Sequence, residues 1–466
     1  MVRSLRLLPL IVALLSGGAT AQEAGAGGTQ DPNPSGISVD ADGEVAGPGI
    51  GWGKAQGVLG ILVFLGIAAA CSENRRAISA RTVLPGLGLQ VALGLLLILV
   101  PAGRRAMQAA SAFVVLILDC AVTGAEFVFG PQLVDPGGPA GFVFAFRVLP
   151  TVIFVAALFA VLYQVGVMQV VVRGFARVMA RLLGSSGAES LNVAASLFLG
   201  QTEAPLTIRP FLAGLTRSEL MVVMVSGMAL VSGGVLGAYI EAGAEPGALL
   251  TAILMNAPAS IVLAKIVVPE TDRPETLGRV DADASPKDAN VIDAAARGTR
   301  EGLQLALNIA AILITFIALI TLVDAGLLAL GDALADWSGG RLPTEGLSLG
   351  AILGVLLAPA AWLIGVPWSD CVEVGGLLGS RLVLNELVAY GQLGEAASQL
   401  LPRSGTIATF ALCGFANLSS IGIQVGGIGA LVPERRPDLS RLGLRALLAA
   451  TLANFLTASI TGILLS

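Results

Sequence analysis

Residues 191–215 read LNVAASLFLGQTEAPLTIRPFLAGL. The stretch is apolar enough for a membrane, yet it is not a simple membrane-crossing helix. Gly200, Gln201, Thr202, Glu203 and Pro205 interrupt its middle, and Arg209-Pro210 follows closely. A charge or an amide in hydrocarbon is costly unless it finds partners. Gly and Pro leave backbone groups without helical bonds, which is tolerated only where protein or a water-filled cavity surrounds them. The stretch therefore predicts a broken, hairpin-like segment facing a cavity at membrane depth. Two further regions share this character. One is 346–390, interrupted by Gly365-Val366-Pro367-Trp368, with Asn385-Glu386 near its end. The other is 404–430, interrupted by Gly414-Phe415-Ala416-Asn417-Leu418-Ser419-Ser420. Broken segments in both halves of a chain point to the binding site of a secondary transporter. The order of a broken hairpin followed by two spans occurs at 191–268 and again at 346–465, which reads as an internal repeat.

Composition agrees. The chain has 466 residues, 55% hydrophobic and 13% charged, where soluble domains carry about 25% charged residues. Its 59 glycines are scattered through apolar runs, as close helix packing and broken helices require. A net charge of −5 gives no reason to expect a nucleic-acid partner. Cys71, Cys120, Cys371 and Cys413 lie within apolar segments without CxxC spacing, and read as packing residues rather than disulfides or metal ligands. The absence of His removes the commonest metal ligand and the commonest near-neutral proton carrier. With no Ser/His or Cys/His pair and no metal-ligand cluster, the chain does not read as an enzyme. The paired broken segments argue against a passive channel.

Residues 1–21 resemble a secretory signal, with Arg3 and Arg6, an apolar run from Leu7 to Leu15, and Ala19-Thr20-Ala21. Residues 22–53 read as a flexible periplasmic linker. This places the mature N-terminus outside, in the periplasm of a bacterium with the chain in its inner membrane. The arginine clusters 75–81, 173–181, 297–300 and 435–441 then fall on the inner side. Arg173, Arg177 and Arg181 recur every four residues and predict an interfacial amphipathic helix. Arg104 and Arg105 fall on the outer side, and the apolar stretch 111–129 after them is expected to lie along the outer interface. Residues 54–165 are expected to hold N-terminal scaffold spans. Residues 166–268 follow as interfacial helix, first hairpin and two spans, 269–300 as a charged cytoplasmic loop, 301–345 as a scaffold span, and 346–466 as second hairpin and last two spans. Lys265 is expected to snorkel to the interface, and Asp370, with Glu373 after it, to cap a helix start.

Taken together, Gly200-Gln201-Thr202-Glu203-Ala204-Pro205-Leu206, Ala257-Pro258-Ala259 with Lys265, Pro269-Glu270-Thr271, Gly365-Val366-Pro367-Trp368, Asn385-Glu386 with Val388-Ala389-Tyr390, and Gly414 to Ile421 resemble the concentrative nucleoside transporter family. The likeness runs from about residue 54 to the end. It implies an all-α polytopic membrane protein of eight transmembrane helices, two re-entrant helical hairpins and interfacial helices, with an inverted repeat, assembled as a homotrimer in the lipid bilayer. It also implies nucleoside import by cation symport through an elevator-like alternating access. By the resemblance, Gln201, Thr202 and Glu203 hold the base and Val235 packs on it. An amide, a hydroxyl and a carboxylate together can read the donors and acceptors along a base edge. Glu386, Asn417 and Ser420 match positions that hold the ribose, where a carboxylate accepts strongly from a hydroxyl, and Phe415 lines the same site. These residues read against a nucleobase or amino-sugar carrier on the same scaffold.

No cofactor is implied beyond the coupling ion. The family's sodium positions fall on Ser196, Leu199, Leu230 and Val231. Leu199 and Val231 can offer carbonyls. Ser196 stands where the family has an amide, and Leu230 where it has a hydroxyl. Two side-chain ligands are thus shortened or lost, with Ser232 as a neighbouring substitute. Sodium and proton both stay open as the coupling ion, the proton falling to Glu203 or Glu386.

Overall fold

The computed structural model describes residues 52–278, 288–338 and 347–465. The signal, and the linker up to residue 51, lie outside the described residues. Every regular element described is helical. Among the described residues, seven helices are long and apolar enough to cross a membrane, judged by length and composition, and three shorter helices are also apolar.

The described residues open with α1 (Trp52–Ala70) and α2 (Ala80–Gly94), which continues as a π-helical turn to Leu99. Next comes α3 (Pro101–Phe129), with Pro101 in its first turn. Arg104 and Arg105 are absorbed into its start, so the stretch 111–129 is continuous with them. It belongs to one 29-residue helix of spanning length. α4 (Phe144–Val165) ends at Gly166, whose φ of 93° suits a residue without a Cβ. The amphipathic reading of α5 (Val167–Leu183) holds. Met168, Val172, Ala176, Met179 and Leu183 form its buried stripe, while Arg177 and Arg181 are exposed.

The site-bearing helices follow. α6 (Gly187–Ser196) runs into a turn and then a 3-10 helix, η1 (Ala204–Gly214), packed back against it. α7 (Arg217–Ala229) and α8 (Gly233–Glu241) are one span broken at 230–232, and α9 (Pro246–Val267) is continuous. α10 (Val291–Ser338) begins inside the charged loop expected over 269–300 and packs closely on α4. A Cβ added at Gly298 or Gly302 would come within 2.7–2.8 Å of α4 backbone, so these glycines set that approach.

The second half repeats the pattern after one extra helix. α11 (Leu349–Leu363) turns at Gly365, φ 107°, and packs on α12 (Cys371–Val383). α12 meets α13 (Glu386–Ala396) at a two-residue tip, Leu384-Asn385. α14 (Pro402–Leu412) and α15 (Leu418–Leu431) are broken at 413–417, and α16 (Arg436–Leu464) is continuous. The sequence placed the second break at Gly365-Val366-Pro367-Trp368. The tip comparable to residues 197–203 is instead Leu384-Asn385. In both halves, then, the order is hairpin, broken helix, long helix.

Local chemistry fixes these starts. Ser186 with Glu189, and Thr216 with Glu219, form capping boxes at α6 and α7. Asn385 and Asn417 cap α13 and α15 through Oδ1, which accepts from the Val388 and Ser420 amides at 2.9 Å; each cap contributes about 0.5–2 kcal/mol. Two expectations fail here. Lys265 does not snorkel: it is 7% exposed, with Nζ 2.8 Å from Glu189 and 3.0 Å from Glu270. The starts of α6 and α7 crowd that helix end with carboxylates, which hold the ammonium in. Asp370 does not cap α12. It accepts from the Leu401 amide at 3.1 Å and so secures the start of α14.

Candidate functional site

The two broken helices, α7–α8 and α14–α15, leave carbonyls at their ends with no helical donor. A buried polar network supplies the donors. Asn454 of α16 donates through Nδ2 to Ala229 O at 2.9 Å and to Cys413 O at 2.8 Å, so one amide closes both breaks. Asn256 of α9 donates to Cys413 O at 2.8 Å and accepts from Thr457, which itself accepts from Gln90. Arg381, wholly buried, donates to Ala411 O at 2.6 Å and to Asn454 Oδ1 at 3.0 Å, with its guanidinium 5.5 Å from the Phe455 ring centre. The first break is also held from the hairpin side, where the Gly233 amide donates to Phe198 O at 3.0 Å. None of Asn256, Arg381 and Asn454 stood out in the sequence as a support of the breaks.

Held this way, the hairpin tips and the breaks bring several of the expected residues together. Gln201 donates through Nε2 to Ser420 Oγ at 3.2 Å. Asn417 donates to Glu386 Oε2 at 3.0 Å, and its Oδ1 accepts from the Ser419 hydroxyl at 2.7 Å. Tyr239 of α8 donates to Glu386 Oε1 at 2.7 Å, and its ring lies 5.1 Å from that of Tyr390. Gln201, Ser420, Asn417, Glu386 and Tyr239 therefore form one buried polar chain running from the first hairpin to the second. Glu386 has these neutral partners rather than an ion pair with Lys265. Thr202 rests its methyl over Gly427 of α15, where a Cβ would come within 2.4 Å. Val235 is buried in the first turn of α8, and Phe415 is half-buried in the second break.

Glu203 stands apart. It is exposed, its carboxylate accepts from the Gly200 amide at 3.2 Å, and it lines a cavity of ≈ 210 Å³. Leu199 and Ser232 line the same cavity, with Tyr163 of α4 and Arg297 and Glu301 of α10 opposite. Arg297 grips Asp288 through Nε and Nη2 at 2.8 and 2.9 Å and donates to Glu301 through Nη1. That guanidinium holds the Asp288 carboxyl below the usual carboxylate range.

The sodium positions are poor in side-chain oxygen. Ser196 is buried, and its hydroxyl donates to Asn192 O at 2.8 Å in its own helix. Leu230 and Val231 are buried at the break, and Leu230 carries no side-chain oxygen. One helical turn earlier, Asn192 donates to Ser226 Oγ at 3.0 Å.

Comparison with known proteins gives a consistent picture. Residues 59–132 match the profile described as Na+ dependent nucleoside transporter N-terminus, 145–246 that described as nucleoside recognition, and 248–462 that described as Na+ dependent nucleoside transporter C-terminus. The transporter YutK of Bacillus subtilis (strain 168) is 45% identical over 87% of this chain and 98% of its own length. The nucleoside permease NupC of Helicobacter pylori is 39% identical over 87% of this chain and 96% of its own. The structure of CNTnw in an inward-facing substrate-bound state superposes with a TM-score of 0.82 at 41% identity, covering 88% of this chain and 99% of that one. An outward-facing, doubly substituted CNTnw superposes with a TM-score of 0.81 at 40% identity, covering 88% and 97%. With three profiles in chain order and relatives matched over nearly their full length, the chain belongs to the sodium-dependent nucleoside transporter family, multi-pass membrane proteins that carry solutes and are not enzymes.

Proposed function

We propose that this protein imports nucleosides across the bacterial inner membrane by alternating access, driven by a coupled cation. The observation that carries the reading is the buried polar chain from Gln201 through Ser420 and Asn417 to Glu386 and Tyr239. It puts an amide suited to a base edge beside a hydroxyl, an amide and a carboxylate suited to a ribose. Thr202, Val235 and Phe415 belong to the same site, and Glu203 meets the ligand from the cavity side. The repeated order of hairpin, broken helix and long helix supports an elevator-like movement of one half of the fold against a scaffold built around α4 and α10. The family likeness supports a homotrimer.

Sodium is the coupling ion that the family description favours. A second reading, proton coupling through Glu203 or Glu386, is favoured by one observation: Leu230, where the family has a hydroxyl, offers no side-chain oxygen. Uptake of labelled uridine into reconstituted vesicles, with sodium and proton gradients imposed separately, tests both. Uptake is expected under one gradient; none under either overturns the nucleoside reading. Glu386→Ala, which removes a charge-assisted acceptor, is expected to cut uptake by about 10–100-fold. Full uptake by that variant overturns the ribose role of Glu386.

A further inference from the structure

Gln424 lies wholly buried on α15, four residues after Ser420. Its Nε2 makes two hydrogen bonds, to Met224 O of α7 at 3.0 Å and to Gln201 Oε1 at 3.2 Å. A side-chain amide has a donor end and an acceptor end, and a backbone carbonyl can only accept. Met224 O therefore decides which way the Gln424 amide faces. With its NH2 held there, Gln424 can only donate to Gln201, so Gln201 turns its carbonyl to Gln424 and its NH2 to Ser420. The orientation passes from a helix carbonyl through two amides to the residue read as the base contact. Space for the relay comes from Gly227 of α7: a Cβ there would sit 2.5 Å from Gln424 Nε2 and 3.1 Å from Gln201 Cβ. The Gln424 Oε1 has no partner, and reversing the amide would not help, since that would set oxygen against both Met224 O and Gln201 Oε1.

We propose that Gln424 is a positioning residue that locks Gln201 with its N–H side toward the ligand, so that a substrate must offer a hydrogen-bond acceptor at the base edge Gln201 meets. The inference rests on the reading of Gln201 as a base contact. Gln201 donates one N–H to Ser420 and keeps the second for the base, while its carbonyl is engaged by Gln424. A nucleoside with a carbonyl oxygen or an unprotonated ring nitrogen at that edge satisfies the site. One with hydrogen or a weak acceptor there leaves a donor unpaired.

The test is the KM of uridine against two analogues, one with sulfur in place of the 4-carbonyl oxygen and one with sulfur in place of the 2-carbonyl oxygen, each a weaker acceptor with the ring N3–H kept. Wild type is expected to disfavour one of them by about tenfold in KM. Gln424→Met keeps the volume but cannot donate. It is expected to raise the uridine KM several-fold at unchanged Vmax, and to leave the KM of the disfavoured analogue nearly unmoved, so that the ratio collapses toward one. Gly227→Ala displaces the relay from the opposite side with Gln424 in place, and is expected to collapse the same ratio. A wild-type ratio in either folded variant overturns the proposal. So does an equal rise in KM for all three substrates, the mark of a merely structural role. Absence of uridine uptake by wild type overturns the transport reading and this inference with it; uptake with an unaltered ratio overturns this inference alone.

Discussion

Tyr239 and Asn417 donate to opposite oxygens of one buried carboxylate, that of Glu386. Removing one donor while leaving the other grades the site rather than destroying it. Tyr239→Phe keeps the ring against Tyr390 and deletes a single hydrogen bond to a charged group, an interaction of about 1.5–3 kcal/mol. The uridine KM is expected to rise roughly tenfold with Vmax retained. An unchanged KM would place Glu386 outside the ligand's reach. Much of this site was legible in the sequence. A polar residue at a break in an apolar run is conspicuous, and Gln201, Glu386, Asn417 and Ser420 all lie at breaks and all join the buried chain. Tyr239 and Gln424 were not legible as site residues. Each is a single polar side chain within a regular apolar helix, and nothing local separates a residue that points at the site from one that fills the core. Ser196 and Leu230 were legible as departures from the family pattern. The structure adds that the Ser196 hydroxyl donates to Asn192 O within its own helix.

At the scale of the helix, the two breaks differ in what causes them. Residues 413–417 contain Gly414, where a Cβ would come within 2.6 Å of Asn454 Oδ1, and Asn417, which caps the next helix; that break is written locally. Residues 229–232 are Ala-Leu-Val-Ser, with neither Gly nor Pro, and the sequence read 220–241 as one uninterrupted span. The backbone at Leu230 is nonetheless extended, φ −109° and ψ 161°. Tertiary contacts impose it: Asn454 takes Ala229 O from one side and Phe198 O takes the Gly233 amide from the other. Asn454→Leu keeps the branching at Cγ and removes one donor from each break, leaving Cys413 O only its bond from Asn256. Leaving two buried carbonyls short of a donor is expected to cost about 2–5 kcal/mol, read as a lower midpoint of thermal unfolding in detergent. A wild-type midpoint would mean that the breaks close without that amide. The hairpin tip at Leu384-Asn385 escaped for the converse reason. Gly365-Val366-Pro367-Trp368 is the stronger local signal, and it marks a real turn, but one helix too early.

Across the molecule, Glu73 in the loop between α1 and α2 gathers distant elements. It accepts from Arg217 Nη2 at the start of α7 at 2.7 Å and pairs with Arg445 of α16. The Arg217 guanidinium holds the Glu73 carboxyl below its usual range. A carboxylate with a lowered folded pKa stabilises above its unfolded value, about 4.3 for Glu, and that contribution disappears as pH falls through the folded value. Wild type and Glu73→Gln are therefore expected to differ in thermal midpoint at pH 7, by about 0.5–1 kcal/mol for so exposed a pair, and to converge in acid below about pH 4. A gap that persisted in acid would assign the effect to packing. The helical class and the broken segments followed from composition and from polar residues set in apolar runs. The extent of α3 did not, because Arg104 and Arg105 suggested a boundary that the helix absorbs in its first turn. The placement of Asn454 bears, finally, on how the protein is made. Ala229 and Cys413 leave the ribosome well before residue 454 does. Until α16 has been threaded into the bilayer, both breaks lack their shared donor, and the ligand-facing tips have no fixed spacing. A nascent chain that stops between Gln424 and Asn454 has every proposed contact residue translated but not the amide that ties the two breaks together, so the site is expected to be completed only late in synthesis.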